Sequence, residues 1–596
     1  MPSAEFEQAL QLHRGGARDA AERIYRRILQ TAPNHFGATH MLGVVHLQRG
    51  EIAEAERLLS RALALEPLSP EALNHHGTAL RRRDRFAEAL AAFDRAIALK
   101  PDYPEALANR GNVLVALGRP REAVASYDRA IALKPGDADT HYNRGAALEA
   151  LQQWDAAIAS YDQAVFLRPA FPQAFNNLGN ALKEAGKPAD AVASYDRAIA
   201  LRPDYADALS NRGAALRDLG RSEEALASFA AALAARPQFA EAHNNRGCTL
   251  RDLCRFDDAM EDFAQALAIA PDYAEARWNT ALTQLLLGDW EHGWENAEAR
   301  FHKTRNPVPR PVLAVPEWRG EALAGRKLLV FCEQGYGDAI QFIRFVPLPQ
   351  ARGAQITVLA DRRLHALLGG AVTDVSFTDS VGDARFDFQI ALMSVPRVLG
   401  TTPATVPANA PYLAVDPARA DVWRARLGND GFKVGLCWQG NPAGAVDRGR
   451  SLPLAELAPL ARVPGVRLIS LQKIHGLEQF HKRPRGMSIE TPGHDFDDGR
   501  DAFVDTAAMM LHLDLVITSD TAIAHLAGAL GRPVWTALKH VPDWRWLLGR
   551  SDTPWYPTMR LFRQPRAGDW AAVVRAMTEA LHSAAGPAAG NVHFAA

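Results

Sequence analysis

Small, apolar and polar residues recur along the first half of the chain with a constant step of 34 residues, the distance from Pro33 to Pro67. The series comprises prolines at Pro33, Pro67, Pro101, Pro135, Pro169, Pro203, Pro237 and Pro271, glycines at Gly43, Gly77, Gly111, Gly145, Gly179, Gly213 and Gly247, alanines at Ala55, Ala89, Ala123, Ala157, Ala191, Ala225 and Ala259, and aromatic residues at Phe93, Tyr127, Tyr161, Tyr195, Phe229 and Phe263. Small residues let two helices approach closely, an aromatic side chain fills the space between them, and proline ends the second helix. The pattern predicts stacked helix pairs over about residues 3–288.

This period and these residue types resemble the tetratricopeptide repeat. The resemblance implies a superhelix whose concave face binds other proteins. The beginning is irregular, since Gly16 and Ala20 fit the pattern only roughly, as expected of a capping unit. We assign residues 1–288 to a repeat array of about eight helix pairs.

Asparagines follow the same step, each standing two residues before the glycine or alanine of its repeat. They are Asn109, Asn143, Asn177, Asn211, Asn245 and Asn279. An asparagine amide offers both a donor and an acceptor, so this ladder could grip the backbone of an extended peptide without reading its sequence. Alternatively, the amides tie neighbouring repeats together or face water. The ladder resembles that of the O-linked N-acetylglucosamine transferase, which implies that the array holds a protein acceptor.

The repeat pattern stops after Gly288, and residues 289–325 form a junction. Residues 289–300 still favour a helix, and we expect Trp290 and Trp294, four positions apart, to lie in a core. Residues 306–316 contain four prolines, too many for a helix, and predict an ordered or stiff connector.

The second half alternates short apolar runs with helical patterns, which predicts two α/β lobes. The strands of the first lobe, residues 326–415, are predicted at 327–333, 355–360, 374–378 and 386–392. A glycine-bearing loop, residues 334–338, precedes a helix from Ala339. Alternating strands and helices imply a parallel sheet with its site at the carboxyl ends of the strands. The loop is not GxGxxG, so a dinucleotide fingerprint is not supported.

A proline-rich linker, residues 403–417, leads into the second lobe, residues 416–584. Its elements are predicted at 433–438, 454–462, 467–471, 502–513, 515–538 and 570–581, before a flexible tail at 585–596. Residues 515–538 form a strand–helix–strand unit in which Asp520 occupies the expected N-cap, and Thr521 and His525 share a helix face. The free N–H groups of such a helix N-terminus suit a phosphate. The alternative is an ordinary capped unit with a surface histidine.

Composition and charge exclude several classes of protein. The 596 residues are 48% hydrophobic and 23% charged, with a net charge of −1, which argues against a nucleic-acid partner and against disorder. Four cysteines show neither a CxxC pair nor zinc spacing, so we expect reduced, mostly buried thiols. Neither a secretory signal nor a membrane-spanning run is visible, and we expect a cytoplasmic protein.

Four segments of the second half resemble the heptosyltransferase-like family, glycosyltransferase family nine. The segments are EQGYGDAIQF at 333–342, CWQGNP at 437–442 with Arg450-Ser451, SLQK at 470–473, and SDTAIAHLAGALGRPV at 519–534. The resemblance implies a GT-B module, two Rossmann-like lobes with the acceptor and catalytic base on the first lobe and a nucleotide-sugar donor on the second. Together with the array, the chain resembles bacterial proteins that include enzymes glycosylating flagellin with pseudaminic-acid-type sugars.

The resemblance also implies roles for single residues. Asp338 matches the catalytic base, which suits a carboxylate that takes a proton from an attacking hydroxyl. Donor binding is implied for Gly335, Gly337, Trp438, Gly440, Arg450, Gln472, Lys473, Ser519, Asp520, Thr521 and His525. Among these, Thr521 and the helix N–H groups would hold the leaving phosphate, Asp520 or His525 would contact sugar or ribose, and Lys473 and Arg450 would replace a metal. Ala522 stands where the family usually has glycine.

Two further groups of residues are predicted to be structural. The Asp-x-Asp at Asp495 and Asp497 lies in a polar segment and is interpreted as a solvated turn, not a metal site. Trp544, Trp546, Trp555 and Tyr556 are interpreted as core residues.

We therefore expect a metal-independent, inverting protein O-glycosyltransferase without a cofactor. It would transfer a sugar from a nucleotide donor, such as a CMP-linked pseudaminic-acid-type sugar, to Ser or Thr of an acceptor such as flagellin. One alternative keeps the chemistry but acts on lipopolysaccharide with ADP-heptose. Another is a non-catalytic scaffold or chaperone with a degenerate transferase module.

Overall fold

The computed structural model describes residues 2–442 and 449–586. The chain divides into two compact units, Met1–Asn245 and Arg246–Ala596.

The first unit consists of successive helices joined by short turns, which confirms the predicted repeat. These helices are α1 Pro2–Arg14, α2 Arg18–Thr31, α3 Phe36–Arg49, α4 Ile52–Leu65, α5 Pro70–Arg81, α6 Phe86–Leu99, α7 Pro104–Ala116, α8 Pro120–Leu133, α9 Ala138–Ala150, α10 Trp154–Leu167, α11 Pro172–Glu184, α12 Pro188–Leu201, α13 Ala206–Asp218, α14 Ser222–Ala235 and α15 Ala240–Asp252. Helix α15 crosses the boundary between the units.

From Gly77 to Gly247, the repeated glycines are explained by the aromatic residues packed on them, whereas Gly43 contacts Leu59. A Cβ on Gly145 would lie 2.6 Å from Cε1 of Tyr161, and one on Gly111 would lie 2.4 Å from Cε1 of Tyr127. No real Cβ tolerates such distances, because the core is already close-packed. Each glycine therefore lets the aromatic ring of the second helix reach the backbone of the first helix.

The second unit continues with helices and then two sheets. Its further helices are α16 Phe256–Ile269, α17 Ala274–Leu287, α18 Trp290–Ala297, α19 Tyr336–Phe342, α20 Pro347–Ala351, α21 His365–Gly369, α22 Val395–Val398, α23 Pro417–Leu427, α24 Glu478–His481, α25 Val504–Met510, α26 Ala522–Ala529 and α27 Trp570–Ala584. The strands are β1 Lys327–Phe331, β2 Gln355–Leu359, β3 Ser376–Thr378, β4 Phe388–Ala391, β5 Phe432–Cys437, β6 Val466–Ser470, β7 Leu515–Ser519, β8 Val534–Leu538 and β9 Met559–Arg563.

Every strand pair in both sheets is parallel, which confirms the α/β prediction for this half. The first sheet has the order β3-β2-β1-β4 and the second has the order β6-β5-β7-β8-β9. Two local predictions were wrong, since helix α19 begins at Tyr336 rather than at Ala339, and β9 was missed. The helix predicted at 454–462 is present as a 3-10 helix.

An aromatic cluster forms part of the core of the second unit. Trp290 and Trp294 are buried, as predicted, and each packs edge-on against Trp544. Trp290 also stacks on Trp555, with ring centroids 5.3 Å apart. Trp546 and Tyr556 are buried as well, so the interpretation of this group as core residues is confirmed.

The cysteines follow the prediction with one exception. Cys248 and Cys437 are buried and Cys332 is half-buried, but Cys254 is exposed, because it occupies the turn between α15 and α16 with a positive φ of 59°. Within the described ranges, no helix is long and apolar enough to cross a membrane.

Candidate active site

The turn from β1 to α19 places Asp338 at the carboxyl end of the first sheet. Gly335 is the N-cap of α19, and its N–H donates to Oδ2 of Asp338 at 2.9 Å. Asp338 is thus the third residue of the helix, and its carboxylate satisfies the backbone donor of the N-cap, which is one half of a capping box. About a fifth of the side chain, 19%, is exposed to solvent.

The turn from β7 to α26 differs from its sequence prediction in two respects. Thr521, not Asp520, is the N-cap, and its Oγ1 accepts from the N–H of Ile523 at 3.3 Å. Asp520 lies one residue earlier, where its carboxyl group is buried. His525 is not a surface residue, since it is buried with Nδ1 3.1 Å from Oη of Tyr556 and its ring stacked on Trp546.

The two turns lie against each other. A Cβ on Gly337 would be 3.1 Å from Cδ2 of His525 and 3.3 Å from Cα of Ala522. Glycine at this position therefore allows α19 to approach the first turn of α26, and Ala522 contributes a small side chain to the same contact. The structure thus brings Gly337 of the first lobe against Ala522 and His525 of the second.

Arg545 bridges this contact, although sequence reasoning did not select it. It lies in a 3-10 helix after β8, where Nη2 forms an ion pair with Oδ1 of Asp338 and Nη1 donates to Oδ1 of Asp543 at 2.8 Å. Its Nε donates to Oε1 of Gln341 at 2.6 Å. A guanidinium group presents several donors in a fixed plane, so it can hold two carboxylates at once.

Burial shifts the titration of the acidic groups. Burial raises the pKa of Asp338, and the charge of Arg545 opposes this shift. Burial raises the pKa of Asp520 to about 6, with a further increase from Asp543 and opposition from Arg450. Arg450, Asp543 and Arg545 thus act on both carboxyl groups, one from each lobe.

The buried histidine is neutral at physiological pH. Burial lowers the pKa of His525 far below its ordinary value, and Arg545 and Arg344 lower it further. A neutral imidazole beside two guanidinium groups avoids a third buried positive charge.

The loops after β5 and β6 are held together by Gln472. Its Oε1 accepts from the N–H groups of Trp438 at 3.0 Å and Gln439 at 3.1 Å, and its Nε2 donates to the Gln439 carbonyl at 2.7 Å. The Trp438 ring is fully buried, and its indole donates to the Gly476 carbonyl. Gln472 and Trp438 therefore stabilise the conformation of these loops through internal hydrogen bonds.

The other donor-side residues are placed as follows. The N–H of Gly440 donates to Oγ of Ser451 at 3.4 Å. Lys473 is exposed, and its Nζ donates to the Phe496 carbonyl. In the part of the chain that the structure describes, Oγ of Ser519 is buried without a hydrogen-bond partner.

The Asp-x-Asp segment is only partly a solvated turn. Asp495 is exposed and pairs with Arg426 at 2.6 Å. Asp497 instead accepts from the N–H of Asp505 at 2.8 Å and from the hydroxyl of Thr506, so it holds the start of α25. Burial raises the pKa of Asp497.

The asparagine ladder links successive repeats in the first unit. Nδ2 of Asn109 donates to Oδ1 of Asn74 at 3.0 Å, and that of Asn177 donates to Oη of Tyr142 at 3.0 Å. The corresponding bonds run from Asn143 to Asn112 and from Asn211 to Asn176. The amide nitrogens thus serve the alternative role of tying repeats together. All six ladder residues are half-buried.

Asp520→Asn is expected to stabilise the protein at neutral pH. An acid whose folded pKa of about 6 lies above its ordinary 3.8 binds its proton more tightly in the folded state. The free energy of unfolding of the wild type therefore falls as pH rises from about 4 to about 6, by up to about 3 kcal/mol. The free energy of unfolding of the variant should not fall over this pH range, and urea unfolding at several pH values will measure the difference.

Asp379→Asn, at an exposed position, is the control. A variant less stable than the wild type above about pH 6 would show that the neighbouring arginines fully compensate the buried charge.

The comparisons identify the repeats. Tetratricopeptide-repeat models match residues 40–104, 109–175 and 176–243, and also 80–129 and 240–273. The chain is similar to Protein FlbA of Caulobacter vibrioides, with 31% identity over 310 residues that cover 48% of this chain and 51% of that protein. The chain thus spans about half the length of the curated relative that it matches.

Solved structures are also similar over parts of the chain. They include MamA, at 25% identity over 27% of this chain and 95% of that one with a TM-score of 0.27. They also include YrrB, described as a TPR protein with an unusual peptide-binding site, at 27% identity over 31% of this chain and 96% of that one with a TM-score of 0.28. The N-terminal region of this chain is an array of tetratricopeptide repeats, a structure that typically binds protein partners.

Proposed function

We propose that the chain is a GT-B glycosyltransferase that moves a sugar from a nucleotide donor to a Ser or Thr hydroxyl of a protein. The main support is the convergence of Asp338 and Asp520, each at the carboxyl end of a different parallel sheet, on the same charged neighbours. Ligands of parallel α/β sheets bind at this end of the strands. The four segments that resemble glycosyltransferase family nine include both turns.

Asp338 is the proposed catalytic base. The acceptor oxygen attacks the anomeric carbon, its proton passes to the carboxylate, and the bond between that carbon and the phosphate oxygen breaks with inversion. The Gly335 N–H and Arg545 fix the two carboxylate oxygens in place. Burial raises the pKa of the carboxyl group, which moves it toward the range in which a base is effective near neutral pH.

The turn before α26 is the proposed phosphate site. The N–H groups at the start of this helix carry partial positive charge and suit the leaving phosphate. Arg450 adds a full positive charge near Asp520, so no metal is required in this scheme. His525, neutral and bonded to Tyr556, supports the packing of α26 beneath this site.

The array is the proposed holder of the acceptor. The side-chain amide nitrogens of Asn109 and Asn211 donate hydrogen bonds to the preceding repeats. The side-chain carbonyl oxygens are left to accept from the backbone N–H of a bound peptide. Backbone contacts of this kind hold an extended segment whatever its sequence. An acceptor such as flagellin, which the family resemblance suggests, fits this mode.

Transfer is tested by incubating the full chain with flagellin and CMP- or ADP-linked sugars, followed by intact-mass measurement of the acceptor. One sugar mass added per modified site is expected with one donor class. Asn109→Ala combined with Asn211→Ala is expected to raise KM for flagellin and leave kcat almost unchanged, because these residues belong to the array and not to the candidate active site.

Other outcomes separate the alternatives. Transfer to lipopolysaccharide from ADP-heptose, with none to protein, would replace the proposal by a heptosyltransferase. Capture of flagellin without donor binding or transfer would indicate a scaffold and overturn the catalytic proposal.

A further inference from the structure

A basic cleft lies in the segment that follows β6. It has a volume of about 490 Å³ and is lined by His481, Arg483, Pro484, Arg485, Gly486, Met487 and Ser488. Among the residues that the structure describes, no carboxylate lines it. The whole chain carries a net charge of −1, so this concentration of positive charge is local.

The cations of this segment are not neutralised by the protein. Lys482, Arg483 and Arg485 are exposed, and within the described residues none of them forms an ion pair. Exposed arginines of the array, in contrast, commonly pair with a neighbouring glutamate, as Arg119 does with Glu122 at 2.7 Å. Unpaired clustered cations attract an external anion, because mutual repulsion is relieved when one binds.

Arg483 is held in a fixed position within the cleft. Its Nε donates to the Met487 carbonyl at 3.1 Å and its Nη1 to the Phe480 carbonyl at 2.8 Å. The guanidinium also lies 4.3 Å from the centre of the Phe480 ring. This leaves Nη2 for a ligand and removes part of the entropy cost of binding one.

One end of the cleft lies away from the carboxyl end of β6. Glu490 pairs in parallel with Ile469 of the edge strand β6, which places Ser488 level with about Arg467 near the start of that strand. Gln472, by contrast, follows the carboxyl end of β6. Ser488 therefore lies along the outer edge of the second sheet, whereas the start of the same segment is joined to the loop after β5 by the bond from the Trp438 indole to the Gly476 carbonyl.

We propose that this cleft binds a phosphate-bearing group, carried either by a lipid or by a free phosphate ester. Arg483 and Arg485, which line the cleft, and the neighbouring Lys482 match the charge and the acceptor oxygens of phosphate. Ile474 and Leu477, 74% and 40% exposed, precede the cleft in the same segment and would enter the boundary of a lipid layer. The proposal is independent of the proposed transfer activity.

Binding is tested with the full chain in two arms. Flotation with phosphatidylglycerol vesicles, against phosphatidylcholine vesicles, reports a lipid headgroup, and calorimetry with glycerol 3-phosphate reports a free ester. We expect binding in at least one arm, weakened about tenfold or more by the double variant Lys482→Glu/Arg485→Glu and by added salt. Both side chains are exposed, so the fold should persist.

The matched control is Arg362→Glu/Arg385→Glu, which changes the net charge equally at exposed positions of the first lobe. It should bind as the wild type does. The proposal is wrong if the wild type binds neither probe, or if the control loses binding as much as the cleft variant does. Ile474→Ser should weaken only the vesicle arm if the phosphate belongs to a lipid.

Discussion

Replacing Asp338 with asparagine is expected to lower kcat for sugar transfer by about 10²–10⁴-fold, the usual contribution of a positioned general base. Asparagine keeps the shape of the side chain, and its Oδ1 can still accept from the Gly335 N–H, now 2.9 Å from a carboxylate oxygen. It cannot take a proton from the acceptor hydroxyl. Single-turnover rates measured by intact mass will report this loss, while donor affinity should change little.

Asp543→Asn is the matched control, because Asp543 binds the same guanidinium group through the other terminal nitrogen, at 2.8 Å. This variant removes the negative charge of one carboxylate that pairs with Arg545, but it keeps the proposed base. A loss of less than about tenfold is expected for this variant. Equal losses in both variants would mean that Asp338 acts only through the charge balance around Arg545.

The pH dependence offers a second readout. Burial raises the pKa of Asp338, so the wild-type rate should fall on the acidic side as the carboxylate is protonated. The Asn variant should lack this acidic limb because it has no proton to gain there. If the Asn variant still loses rate at acidic pH, a group other than Asp338 is the base.

The repeat could be predicted from sequence because its determinants are local and periodic. Gly145 and Tyr161 recur at the same spacing in other repeats, and each pair meets within one helix pair. A second periodic feature was overlooked. Lys100 pairs with Glu71 and Arg236 pairs with Asp207, and both bonds join residues 29 positions apart. These exposed pairs are weak, so their loss would be hard to see in stability.

The candidate site could be predicted only where the residues around a turn show directly that a strand ends and a helix begins. Asp338 and Asp520 stand beside strand ends that the sequence shows directly. Arg545 lies 207 residues from Asp338, and nothing in its local sequence indicates the ion pair between them. The burial of His525 likewise depends on Tyr556, which follows it by 31 residues.

The asparagine ladder shows the limit of a spacing argument. The period places the amides at equivalent positions, but it does not decide between binding a neighbouring repeat and binding a peptide. Asn109 donates to Asn74 and Asn211 to Asn176, so the amide nitrogen of each serves the array itself. Only the acceptor half remains for a ligand, which makes the expected KM effect of these residues a specific test.

Arg300→Met is expected to destabilise the second unit by about 3–5 kcal/mol, the largest stability effect that we foresee. Arg300 is 1% exposed, and its Nη2 donates to Glu333 at 2.9 Å and to Ser394 at 2.6 Å. Glu333 is itself buried and directly precedes the loop that carries Asp338. Its remaining contact, the Met393 N–H at 3.3 Å, cannot neutralise the charge.

The loss should depend on pH in a defined direction. Burial raises the pKa of Glu333 even with Arg300 present, and removing Arg300 raises it further. An acid whose folded pKa is raised weakens the fold as pH increases, so the difference from the wild type should grow toward alkaline pH and shrink toward acid. Tryptophan fluorescence during urea unfolding measures it, since every tryptophan except Trp154 lies in the second unit.

Two variants isolate the buried charge as the cause of this loss. Arg310→Met removes a half-exposed guanidinium whose nearest carboxylates lie 3.8–3.9 Å away, and should cost about 1 kcal/mol or less. Arg300 also pairs with Glu298 at 2.7 Å, but Glu333 is the more buried of its two carboxylate partners. Adding Glu333→Gln to Arg300→Met removes that buried charge and should restore part of the stability, because the neutral amide needs no cation. If the double variant is no more stable than Arg300→Met, the loss reflects the packing of the arginine side chain rather than its ion pair. If the single variant loses less than the Arg310 control, the buried pair contributes nothing to the fold.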